Sequence, residues 1–161
     1  MRSFYIYIYM EKTKIGKYIV NYYINDLGIC KCLERSKNID IEYKTLFKPL
    51  YREKSNILDI GGFIGTTALL FNEIIDKNNK IYVFEPQYYD CLIKNITDNN
   101  LEKTILPYNC GLSNTNCFIP SNNIDINIQG NYGGRHLITL HDNNINNISI
   151  PNCSNTVELK K

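Results

Sequence analysis

A chain of 161 residues is long enough for one domain with a substantial core and too short for two ordinary ones. Hydrophobic residues make up 43% and charged residues 21%, a globular balance that excludes an intrinsically disordered chain. The formal charge of +2 and isoelectric point near 8.1 are too mild to argue for nucleic acid, which needs Lys and Arg clustered on one face.

The chain opens on Arg2 and a short apolar stretch, Ser3–Met10, which Glu11 and Lys12 interrupt without a small-residue cleavage site. It therefore does not read as a signal peptide. Residues 4–9 and 17–24 are rich in β-branched and aromatic side chains and predict two strands, with a turn at Gly16 between them. Asp26-Leu27-Gly28 marks a further turn, and 29–33 reads as a short strand. From Asp40 the pattern changes to helical spacing: Tyr43, Leu46, Phe47 and Leu50 share a face, Asp40 can cap the N-terminus, and Pro49 limits the length.

Residues 56–60 (N-I-L-D-I) form an apolar run ending in glycines, which reads as a buried strand. Ile64, Ala68, Phe71, Ile74 and Ile75 then fall on one helical face, 80–84 is the next strand, Tyr89, Leu92, Ile93 and Ile96 mark a second helix, and 104–110 is a third strand. Strand and helix alternating with short connections predict an α/β fold built on a parallel sheet. Pro107 lacks a ladder donor, which places the third strand at an edge, as in a 3-2-1 order. After Ser113 the pattern weakens to short segments at 117–119, 124–128, 137–140 and 148–150, separated by Asn-rich loops.

Two features carry chemistry. Asp59-Ile60-Gly61-Gly62-Phe63-Ile64-Gly65 lies between a strand and a helix, where glycines let a cofactor approach the backbone and the helix start offers free N–H groups. A carboxylate at the strand end can hold an ammonium group. Glu85-Pro86 ends the next strand, twenty residues past Gly65, the interval at which an acid meets the ribose hydroxyls of an adenosine cofactor. Taken singly, the glycines also fit a plain tight turn, and Glu85 a solvated strand end. The spacing D-x-G-x-x-x-G differs from the dinucleotide fingerprint, which argues against a nicotinamide-dependent oxidoreductase.

The stretch N-I-L-D-I-G-G-F-I-G-T-T, with V-F-E-P, N-C-G-L-S-N and N-Y-G-G after it, resembles the FkbM family of class I, S-adenosylmethionine-dependent methyltransferases. The resemblance covers 55–113 best, 131–134 less closely, and 17–50 as a lead-in region. It implies a Rossmann-like domain over 55–161 preceded by a hairpin and helix over 1–54. It further implies that Asp59, Gly61 and Gly65 line the methionine end of the cofactor, that Glu85 holds the ribose, and that Gly62, Phe63 and Pro86 belong to the same cofactor-binding set. Asn109 and Gly111 would lie near adenine, and Asn131, Gly133 and Gly134 on the acceptor side. Phe63 departs from the family, which has Asn there.

The activity implied is methyl transfer to a hydroxyl of a sugar or small molecule, although no residue stands out as general base. Family members continue into a strand resembling I-K-I-D-V-E-G, whereas this sequence reaches Lys161 without one, which reads as a truncated copy. The alternative is thus a non-catalytic remnant or binding module, self-associating or served by a partner chain along the open edge of strand one. Six cysteines at 30, 32, 91, 110, 117 and 153 form no C-x-x-C pair and read as reduced thiols. His136 and His141 read as loop residues, with an acceptor-side role as the alternative ahead of metal ligation. With no apolar run near the roughly 18 residues of a membrane span, the expectation is a cytoplasmic protein without membrane or nucleic-acid partners.

Overall fold

A computed structural model describes residues 10–28, 33, 39–114, 117–120, 125–134 and 156–160. The fold is mixed α/β, with a three-stranded parallel sheet, an antiparallel hairpin and a small third sheet. The hairpin pairs β1 (Met10–Ile15) with β2 (Tyr18–Tyr23). Gly16, at φ 55, takes the first central position of the two-residue turn, a conformation that side chains resist. The strand expected over 17–24 is present, but the partner it pairs with is Met10–Ile15; the run 4–9 lies outside the described residues. Charged Glu11, Lys12 and Lys14 are compatible with a strand because β1 is an outer edge. Of the strand expected over 29–33, only Leu33 is described, and it is helical and buried.

Helix α1 (Ile39–Phe47) gives way to a 3-10 turn at Lys48–Leu50 that contains Pro49. Asp40 therefore lies inside the helix and not at its cap. Phe47 meets Phe71 edge-on at 5.4 Å, seating α1 on helix α2 (Thr66–Phe71).

The parallel sheet joins β3 (Ile57–Ile60), β4 (Ile81–Phe84) and β5 (Ile105–Tyr108) in the order β3-β4-β5. Pro107 is on an edge strand, where its missing donor costs nothing. Alternation decides burial. Ile81, Val83 and Ile105 are fully buried on the face that packs with α2 and helix α3 (Tyr89–Asp98). The opposite face carries Leu58, Tyr82 and Leu106 in one row and Ile60, Phe84 and Tyr108 in the next. There Leu58 and Ile60 are each 65% exposed and Tyr108 41%. Strand β3 is thus partly buried on one face and exposed on the other, where an apolar run had predicted a buried strand.

The 117–119 segment belongs to β7 (Cys117–Pro120), which pairs antiparallel with β8 (Thr156–Lys160); β8 also pairs parallel with β6 (Gly111–Leu112). The β8 strand was not among the expected segments, although Val157 and Leu159 alternate there with polar residues. Residues 125–128 form a turn instead of the expected strand, and 137–140 and 148–150 lie outside the described residues.

A row of amides on α3 joins the hairpin to the sheet. In a two-residue hairpin the closing pair Ile15–Tyr18 exchanges hydrogen bonds, so the backbone groups of Ile19 and Asn21 point away from β1. Asn95 and Asn99 meet them. Asn95 Oδ1 accepts from the Asn21 N–H at 2.6 Å, and Asn95 Nδ2 donates to Asn21 O at 3.0 Å. Asn99 repeats the exchange with Ile19, at 2.8 and 2.7 Å. One helical turn rises about 6 Å over four residues and two strand residues span about 6.6 Å, so the helix mimics a neighbouring strand. This also explains why Ile93 is 38% exposed: the buried face is Cys91, Leu92, Asn95 and Ile96, turned to serve hairpin and sheet together.

A polar cluster fixes the other end of the hairpin. The Tyr18 hydroxyl donates to Glu73 at 2.5 Å, and Lys17 and Lys44 reach the same carboxylate at 2.6 and 3.3 Å. Burial works to raise the Glu73 pKa, but these partners outweigh it and hold the group down at about 2.

Replacing Asn95 by Ala strands the outward N–H of Asn21 and the Ile64 carbonyl without partners. Asn95→Ala should cost about 2–4 kcal/mol in urea unfolding, against about 1 for partly exposed Asn99→Ala. Equal, small losses at both positions would refute the amide row as the joint.

Candidate cofactor site

Three of the four segments singled out by sequence follow the C-terminal ends of the parallel strands: 59–65 after β3, 85–86 after β4 and 109–111 after β5. Parallel order alone puts them at one end of the sheet, where open α/β sheets hold ligands. Hydrogen bonds then draw them together. Gly61 and Gly62 both donate to Phe84 O, at 2.9 and 3.3 Å, and Glu85 N donates to Tyr108 O at 3.0 Å. The Phe63 N–H donates to Glu85 Oε2 at 2.9 Å. Gly61 and Glu85 therefore lie on the same side of the molecule.

The turn from β3 to α2 needs three left-handed residues, Gly61 at φ 81, Phe63 at φ 50 and Gly65 at φ 89. The glycines divide the labour. A Cβ on Gly62 would overlap Val83, and one on Gly65 would lie 2.7 Å from Leu92, so these two serve close packing. A Cβ on Gly61 would meet nothing within 4 Å, and Gly61 is exposed. Gly61 is thus the one glycine of the turn beside open space. Phe63 is the costly residue, since a bulky side chain at positive φ is strained. Its ring is 7% exposed and packs edge-on against Tyr88 at 4.6 Å, which offsets that cost.

Asp59 sits in the bend. Its Oδ2 is buried and has no hydrogen-bond partner, the only such side-chain atom among the described residues. Burial, and then the neighbouring Glu85 charge, raise its pKa to about 6. An ionised oxygen without a donor is a standing penalty unless a cation or donor arrives.

Glu85 is 5% exposed, so it is not a solvated strand end. Its Oε1 accepts from the N–H groups of Gln87 and Tyr88 at 2.6 and 3.0 Å, while Oε2 takes Phe63. Burial raises its pKa despite those three bonds. Asn109 is exposed just after β5, and Gly111 is buried at the start of β6.

The fourth segment, 131–134, joins the site through Tyr132, a residue that sequence reasoning passed over. Tyr132 is fully buried, stacks on Tyr88 at 6.2 Å, and accepts the Tyr88 hydroxyl at its carbonyl at 3.2 Å. Asp26 Oδ1 holds it by accepting the Tyr132 and Gly28 N–H groups, each at 3.0 Å. Gly28 and Gly134 leave room for the Asn131 amide, which a Cβ at either position would strike. The D-x-G and N-x-G-G spacings were readable as turns; their mutual packing was not. Asn131, Gly133 and Gly134 remain exposed beside this aromatic wall.

Cys91 and Cys110 are buried thiols outside any disulfide, and burial pushes the Cys91 pKa up to about 12, which disfavours the thiolate, the nucleophilic form. Among the described residues no three His, Cys, Asp or Glu side chains gather as a metal site, and no helix is long and apolar enough to cross a membrane.

Asp59 binds a proton more tightly folded than unfolded, so its stabilising contribution is complete below about pH 4 and is lost as pH rises through about 6. Asp59→Asn should therefore raise stability at pH 7 by roughly 2–3 kcal/mol and flatten the pH 4–7 profile. A variant less stable than the parent at pH 7 would contradict the unpartnered charge.

No protein-family model, curated protein or solved structure matches this chain.

Proposed function

We propose that the bend at Asp59–Gly65 binds S-adenosylmethionine, and that the protein is a Rossmann-like, FkbM-type methyltransferase acting on a hydroxyl of a sugar or small molecule. What supports this reading most is a single atom, the buried Oδ2 of Asp59, which lacks a hydrogen-bond partner two residues before the open position at Gly61. A ligand that brings an ammonium group to this end of the sheet removes the penalty most fully, because it supplies both a donor and an opposite charge; a ligand without a donor does not. In this reading Asp59 and Gly61 line the methionine moiety, Gly65 lets the bend pack closely on Leu92, and the ribose passes over the Glu85–Pro86 turn. Asn109 and Gly111 flank the adenine, and Asn131, Gly133 and Gly134 face the acceptor. The bound cofactor supplies an electrophilic methyl group. The chain's own residues bind and orient it and, through the Phe63–Tyr88–Tyr132 wall, keep water from one side of the bend.

Equilibrium dialysis with labelled S-adenosylmethionine tests the cofactor directly. Saturable binding is expected, weakened about tenfold or more by Asp59→Asn, the value of one charge-assisted hydrogen bond. Tighter binding of NADH than of S-adenosylmethionine would overturn the assignment. Methyl transfer to a panel of hydroxyl-bearing acceptors then separates an enzyme from a binder.

A second reading, a binding module that works with a second chain, is favoured by β3. Leu58 and Ile60 are exposed on a strand that is an edge of its sheet. On this reading the native protein runs larger than 18.7 kDa in light scattering, and Leu58→Lys returns it to monomer size. A parent that is monomeric at all concentrations rules out self-association.

A further inference from the structure

We infer that Glu85 is a positioning residue that clamps two turns together, and that the site selects its adenosine ligand without gripping the ribose diol. The inference rests on the cofactor reading above and assigns Glu85 a different task from the one its spacing suggests. A carboxylate offers about four lone-pair positions. Three are committed within the chain: Oε2 to the Phe63 N–H, and Oε1 to those of Gln87 and Tyr88. Two adjacent hydroxyls need two acceptor positions on one side, and one remains. Freeing a second would break a bond to the buried N–H of Phe63 or Tyr88 or to the partly buried one of Gln87, and at Phe63 it would release a residue already held at φ 50.

The three bonds do structural work on both sides of the bend. The Phe63 bond ties the β3–α2 turn to the β4–α3 turn, although the residues are 22 apart in sequence. The Gln87 and Tyr88 bonds satisfy donors at the start of α3, where no side-chain cap is present at Tyr88. They also set the Tyr88 ring, against which Phe63 and Tyr132 pack. Glu85 thus acts on the ligand through Phe63 and Tyr88. Discrimination falls to Asp59, the carboxylate whose oxygen is uncommitted.

Two measurements on the full chain test this. Amide hydrogen exchange by NMR should show the Phe63, Gln87 and Tyr88 N–H groups protected, with protection lost at all three in Glu85→Ala. Glu85→Gln, which has one acceptor oxygen in place of two, should keep one side of the clamp and lose the other. Unchanged Phe63 exchange in both variants overturns the clamp; should Glu85→Ala fail to fold, Glu85→Gln carries the test alone. Calorimetric titration should show S-adenosylmethionine and its 2′-deoxy analogue binding within about threefold of each other, and both losing the same factor on Glu85 substitution. Methylthioadenosine, which lacks the ammonium, should bind at least about tenfold more weakly. A preference of about tenfold or more for the hydroxylated ligand that vanishes in Glu85→Gln refutes the inference and leaves the cofactor reading standing. Failure of every adenosine compound to bind refutes the cofactor reading and the ligand half of the inference, while the exchange data still decide the clamp.

Discussion

The structure turns on one buried amide. Asn95 accepts two hydrogen bonds from Asn21 and donates to the carbonyls of Asn21 and Ile64, so a single side chain touches the hairpin, the sheet-covering helix and the glycine bend. Two of these partners, the Asn21 N–H and the Ile64 carbonyl, would otherwise be stranded, and stranding is more costly than the bond is stabilising. The hairpin gains the neighbour that its second strand lacks, and the bend gains a fixed exit into α2. Together with Asn99, it lets a helix stand where a β-strand would usually pair.

Against that rigid background, the bend at 59–65 breaks local rules. A phenylalanine adopts a backbone conformation that favours glycine, and an aspartate oxygen is buried without a donor. Neither helps the fold. Both lie at the open end of a parallel sheet beside the one glycine of the turn that faces open space. Concentrated local cost of this kind, held in place by good packing elsewhere, is the usual physical mark of a site kept for binding. The aromatic wall of Phe63, Tyr88 and Tyr132 and the three-amide grip of Glu85 are what hold it in place.

The sheet itself is two-faced. One side is as dry as any core, with Ile81, Val83 and Ile105 fully buried; the other leaves Leu58 and Ile60 mostly in solvent. Parallel sheets are ordinarily covered on both sides because the crossover connections between their strands place helices there. Here the exposed face and the edge strand coincide at the same two residues. The charged hairpin edge at β1 shows the contrasting solution, in which lysines and a glutamate blunt the free edge.

The sequence alone determined the alternation of strand and helix between 56 and 110, the edge position of the Pro107 strand, and the placing of Asp59, Gly61 and Glu85 at one sheet end. Those features follow from period, from a missing donor and from the rule that parallel strands point their C-termini one way, all of which are local or topological. Tertiary structure alone decided that Asp59 lacks a partner while Glu85 is fully engaged. Both are acids at strand ends, and only the positions of distant N–H groups tell them apart. It also decided the Tyr132–Asp26 contact, the β8 pairing and the amide row on α3, each of which joins segments tens of residues apart. Asparagine in a helix is locally unfavourable, so its use as a strand substitute becomes visible only when the strand it serves is beside it.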